Sequence, residues 1–104
     1  MYFTPRFSAW LFVLVRYGER KMNKRIAVMA IIVEDRNSAE ALNALLHEYG
    51  EYIIGRMGIP YKEKKVSIVS VAIDAPENTI SALAGKIGKL DGVTVKTAYS
   101  AKGE

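Results

Sequence analysis

Two stretches of the chain are apolar on both alternations. In residues 25–33, Ile26, Val28, Ala30 and Ile32 fall on one face of a strand, and Ala27, Met29, Ile31 and Val33 on the other. In residues 66–73, Val69, Val71 and Ile73 share one face, and Val66, Ile68 and Ala72 the other. A strand with a single buried face alternates apolar and polar residues. These two do not, so each needs cover on both sides.

The rest of the pattern fills in around them. Glu34-Asp35-Arg36 reads as a polar turn, and Asn37 with Glu40 as a capping box that starts a helix. That helix carries Leu42, Leu45, Leu46 and Tyr49 as one stripe, and Gly50 is expected to stop it in a left-handed conformation. Residues 52–57 form a weaker second strand, interrupted by Gly55, and residues 58–65 a polar hairpin connection. After the third strand, Pro76 is expected at the first position of a second helix, with the stripe Ile80, Leu83, Ala84, Ile87 and Leu90. Gly85 and Gly88 weaken this helix and offer close packing on the sheet. Asp91-Gly92 ends it. Residues 93–99 alternate cleanly as a last strand, and residues 100–104 are a frayed tail.

The order β-α-β-β-α-β predicts an α+β, ferredoxin-like sandwich, an antiparallel sheet with both helices on one face. In that topology the first and third strands are central, and those are the two that are apolar on both sides. One sheet face is left bare. Its Val, Ile and Met side chains exceed what a soluble monomer usually shows, so a homo-oligomer is expected. It would be a dimer or tetramer, joined face to face or across a strand edge.

Length and composition agree with a single domain: 104 residues, 50% hydrophobic and 25% charged. The net charge of +4 is unevenly placed. Residues 1–21 hold Arg6, Arg16, Arg20 and Lys21 against Glu19, a balance of +3, and the remaining 83 residues carry +1. A nearly neutral domain lacks the electrostatic footprint of a DNA binder, so nucleic acid is a doubtful partner. Residues 1–21 read as a leader, either translated upstream sequence before a start at Met22 or an added docking segment. The apolar run in 7–15 is too short to span a bilayer, so no membrane association is expected. The chain has no cysteine, which excludes disulfides, thiolate metal sites and cysteine nucleophiles and is compatible with a cytoplasmic location.

Few residues offer chemistry. His47 is the sole histidine, and a metal site needs several converging donors, so no metal or cofactor is expected. No serine–histidine–acid set or carboxylate pair stands out, and the protein is not expected to be an enzyme. The loop Glu34, Asp35, Arg36, Asn37 and Ser38 is the best-placed ligand site, because it can present backbone N–H groups and a charged pair to a small molecule. Its plainer role is a solvated turn that caps a helix. Residues 50–58 are dense in glycine, and there Tyr52 and Arg56 suit either an interface carboxylate or a ligand anion. The plainer role of Arg56 is a solvent-facing residue on an edge strand. The run Lys62-Glu63-Lys64-Lys65 reads as a solvated hairpin loop.

The segments running from His47 to Pro60, from Val66 to Pro76 and from Ile80 to Val93 resemble a small bacterial family of iron-only hydrogenase system regulators. The Gly-Arg-Met-Gly segment at 55–58 is the most specific part. The likeness spans about residues 24–101, the whole domain by topology. Members look like free-standing ACT-like domains, similar to the C-terminal sensor of the nickel-responsive repressor. The resemblance implies an oligomeric regulatory module, tied to expression or assembly of iron-only hydrogenase, with a small-ligand site after the first strand at 34–38. The repressor's nickel site does not carry over, because it uses several histidines and a cysteine, and this chain has only His47 and no cysteine. The expected function is a non-catalytic, ligand-sensing or protein-binding regulator. The alternatives are a DNA-binding transcription factor or a small ferredoxin-like enzyme.

Overall fold

The computed structural model describes residues 24–101, so the expectation for residues 1–21 falls outside it. The elements are β1 (Lys24–Val33), a 3-10 turn (Arg36–Ser38), α1 (Ala39–Glu48), a second 3-10 turn (Gly50–Tyr52), β2 (Ile53–Tyr61), β3 (Val66–Pro76), α2 (Glu77–Gly88) and β4 (Val93–Tyr99). The sheet order is β2-β3-β1-β4, antiparallel throughout. This is the ferredoxin-like βαββαβ arrangement, with the doubly apolar β1 and β3 in the centre.

Strand alternation decides which residues meet the helices. Ala27, Met29, Ile31 and Val33 of β1 and Val69, Val71, Ile73 and Ala75 of β3 are buried. They form one core with Leu42 and Leu46 of α1 and Ile80, Leu83 and Ile87 of α2. Leu45, Tyr49, Ala84 and Leu90 pack at its margin, so both helical stripes lie where their spacing puts them. Fully burying an aliphatic side chain such as Leu83 contributes about 1.5–3 kcal/mol, so this layer dominates the fold's stability.

Several local expectations are corrected. Asp35, not Asn37, supplies the cap: its Oδ1 accepts from the Asn37 N–H at 2.9 Å, and α1 starts at Ala39 without a side-chain cap. The acid two residues earlier reaches the free amides first, because a 3-10 turn precedes the helix. Gly50 is not left-handed; it opens the second 3-10 turn, which closes through Tyr52 N–H to Tyr49 O at 3.0 Å. Strand β2 continues to Tyr61, so the connection is only residues 62–65, with Lys65 at φ 56°. Pro76 ends β3 and is the extended residue before α2, whose first residue is Glu77. Ser100 is not frayed: its N–H donates to Ile26 O at 2.8 Å and its carbonyl accepts from Arg25 Nη2 at 2.6 Å. A Cβ at Gly85 would meet open space and one at Gly88 ordinary contact with Val95, so neither glycine serves close packing.

Candidate interaction surface

Among the described residues, no element covers the face of the sheet away from the helices. Its rows follow from the register: Gly55, Ala72, Val28 and Ala98; then Met57, Ser70, Ala30 and Lys96; then Ile59, Ile68, Ile32 and Thr94. Tyr61 and Val66 extend it at one end, Asp74 and Ile26 at the other. Ile26, Val28, Ile32, Met57, Ile59, Tyr61 and Ile68 are each 42–59% exposed. Charge is sparse there: Lys24 and Asp74 sit 3.8 Å apart at one end, and Lys96 stands on an edge strand.

Strands about 4.8 Å apart, rising about 3.3 Å per residue, make this face roughly 19 Å by 26 Å, about 500 Å² in projection. That lies at the upper end of the largest patch on a typical monomer, about 300–600 Å². Accessible area exceeds projection, so the face is of the order that one partner contributes to a standard interface, about 800 Å².

The loop after β1 is braced rather than loose. Glu34 N–H donates to Gly92 O at 2.7 Å, and the buried Ser38 donates its hydroxyl to Asp91 O at 2.6 Å. Gly92 is left-handed at φ 69°, and its α-carbon lies so near Asp35 that a Cβ would come within 2.6 Å. The Asp35 carboxylate is engaged by Asn37, and Ser38 by Asp91. What this loop shows to solvent is Glu34, Arg36 and Asn37.

Tyr52 and Arg56 are not part of that loop. Tyr52 packs on the core margin just before Ile53, which pairs with Ile73 and through it aligns with Ala27. Ala27 and Val33 are six residues apart on β1, about 20 Å at 3.3 Å per residue, so Tyr52 lies toward the end of the sheet opposite the loop, while Arg56, aligned through Val71 with Met29, lies between them. Arg56 stands on the helix side of edge strand β2 and donates from Nη2 to Asn43 Oδ1 of α1 at 2.9 Å. His47 is exposed on α1, one turn beyond Asn43. Among the described residues no three His, Asp or Glu side chains gather where they could hold a metal ion, and no helix is long and apolar enough to cross a membrane.

Sequence reasoning missed the brace itself. Its signal was present in Ser38 and Asp91-Gly92, but nothing along the chain says that these two turns meet. It also missed the clasp at the start of β1. There Arg25 lies over the Tyr99 ring at 4.9 Å and approaches Glu77 at 3.4 Å, tying β1 to β4 and α2.

Comparison with known proteins fits this picture. The family described as TM1266-like, "Iron-only hydrogenase system regulator, putative", matches residues 25–97, from the start of β1 into β4. No curated protein matches the chain. A solved structure, that of the uncharacterized protein TM1266 from Thermotoga maritima, is 40% identical and superposes with a TM-score of 0.71; the match covers 74% of this chain and 98% of that one. The family match takes in both helices and runs from β1 into β4, and on that ground the chain belongs to the TM1266-like family of iron-only hydrogenase system regulators.

Proposed function

We propose that the protein is a non-catalytic regulatory module of the cytoplasm that works as a homo-oligomer, with the open sheet faces of two copies packed on each other. The observation that carries the reading is the apolar, nearly uncharged face built from Ile26, Val28, Ile32, Met57, Ile59 and Ile68. A second copy supplies a surface of equal size and matching character. Antiparallel sheets pack face to face at about 10 Å with their side chains interdigitated. The family supports a regulatory role. The near-neutral domain favours a protein or small-molecule signal over direct DNA contact.

Ile68→Asp tests this. The variant places a carboxylate on a central strand of the face without touching the helix-side core. The full chain should sediment as a multiple of 11.6 kDa, and the variant at a smaller multiple with unchanged helix content. An assembly mass unaltered by the substitution would refute the packing.

A second reading has its own support. The loop 34–38 is held fixed by Gly92 and Asp91 while Glu34, Arg36 and Asn37 point to solvent, a preorganised polar site for a zwitterionic ligand such as an amino acid. Thermal-shift screening of amino acids tests it. Saturation at a hundredfold Kd adds about 2.7 kcal/mol of stability. A hit abolished by Arg36→Ala supports the loop, and a hit unaffected by it moves the ligand elsewhere.

A further inference from the structure

Strand β4 ends the sheet on the side opposite β2, and among the described residues no strand lies beyond it. One hydrogen bond and the register say which of its backbone groups face outward. Ser100 N–H donates to Ile26 O, and these two residues are aligned one step beyond the pair Ala27↔Tyr99. Bonded pairs recur at every second residue of an antiparallel ladder, so Thr94, Lys96 and Ala98 direct their N–H and C=O groups to β1. Val95, Thr97 and Tyr99 turn theirs outward. The strand has no proline, and its register with β1 runs unbroken from Val93 to Tyr99, so these groups are regularly spaced.

The two sides of this edge differ in chemistry. On the helix side, Val95 and Tyr99 pack at the core margin. Above them runs a flank of α2 whose residues, by helical spacing, are Glu77, Ser81, Ala84 and Gly88. Both ends of that row are located. Glu77 lies 3.4 Å from Arg25, which covers the Tyr99 ring, and a Cβ at Gly88 would come 3.6 Å from Val95. Between them the helix shows only the small side chains of Ser81 and Ala84. A strand added about 4.8 Å beyond β4 brings alternate side chains up beside this flank, where there is room for them. On the open side, the one charged residue of β4 is Lys96; it is exposed, and among the described residues no carboxylate pairs with it.

We infer that the outer edge of β4 docks an extended segment of a partner protein, one that alternates acidic residues with small apolar ones. Its backbone pairs with the outward groups of Val95, Thr97 and Tyr99, the mode by which an exposed sheet edge takes up a peptide strand. Its apolar residues fall beside Ser81 and Ala84, and an acid falls opposite Lys96 on the same face. A second copy of this chain fits the edge poorly. Two antiparallel registers match Val95 and Thr97 both to outward-facing residues of the copy. Val95 opposite Thr97 sets Lys96 directly against Lys96, and Thr97 opposite Thr97 sets the two lysines on the diagonal, about 7–8 Å apart. Like charges so placed oppose the pairing, which is how an edge lysine guards a sheet against its own copies. An acid in the partner turns the same charge into attraction. The edge lies beside the open face rather than on it, so docking there is compatible with the packing of two faces.

Two capped peptides of β4's length, 7 residues, test this on the full chain, one alternating valine with glutamate and the other valine with lysine. With the valine–glutamate peptide in excess, the Val95 and Thr97 amides should exchange with solvent deuterium about tenfold more slowly or better, while Lys96 and Ala98, already bonded to β1, change little. The valine–lysine peptide should protect neither, and Lys96→Glu should swap the effects of the two peptides. Thr97→Pro removes one outward N–H and leaves the ladder to β1 intact. It should abolish the protection of Val95 while the slow exchange of Lys96 and Ala98 shows the sheet still formed. Protection by neither peptide, equal protection by both, or a preference that Lys96→Glu leaves unchanged would overturn the inference.

Discussion

Gly92 is held by two constraints at once, a left-handed backbone and the Asp35 α-carbon and Cβ beside it. An alanine there meets both. The left-handed conformation alone costs about 1–2 kcal/mol for a residue with a Cβ, and the Asp35 backbone cannot swing aside as a long side chain would. Gly92→Ala should lower stability by about 2 kcal/mol or more in urea denaturation. Gly85 is the opposite case, in a helix interior with open space around it; Gly85→Ala should raise stability by about 0.5–1 kcal/mol in the same measurement. Lys86 lies over the Tyr49 ring at 5.0 Å, and its ammonium is raised above its ordinary value chiefly by the hydrogen bond with Tyr49, then by the charges of Tyr49 and Glu48, against some desolvation. A raised lysine stabilises the fold fully below its unfolded pKa, and the contribution is lost as pH rises through the folded value. Stability should therefore fall at strongly alkaline pH, and the Lys86→Met variant should lose that component.

At the scale of elements, the residues that report on packing were legible and those that report on local geometry were less so. The two-sided apolar run of β1 and β3 has only one physical meaning, because side-chain alternation is rigid, and it fixed their central place. The stripes of α1 and α2 were equally plain: Leu42, Leu46, Ile80, Leu83 and Ile87 are buried as their spacing requires. Strand β2 was cut short because Gly58 and Pro60 usually punctuate a turn. Here the register with β3 overrides that preference, and the proline costs nothing because its nitrogen faces outward. The cap was misplaced by two residues because Asp35 and Asn37 are both good caps and only the brace to Gly92 selects between them. The candidate ligand residues were legible as a loop, but not that Asp35 and Ser38 are already engaged. Leu83→Ala should cost about 2–5 kcal/mol, the usual range for a buried leucine, and Ser38→Ala about 1–3 kcal/mol, since it leaves the Asp91 carbonyl without its donor. Chemical denaturation distinguishes the two.

For the whole molecule, the sheet is the organising fact. Helices bury one side of it, and the other side presents isoleucine, valine and methionine in register. Under the proposed packing, assembly could itself carry a signal: whatever biases the packing of the faces would change the surface the protein shows. The most direct test is the mass of the full 104-residue chain in solution at micromolar concentration. Analytical ultracentrifugation should give a multiple of 11.6 kDa that falls when Ile68 becomes Asp. A folded species of 11.6 kDa across the concentration range would contradict the central claim that this face is covered by another copy.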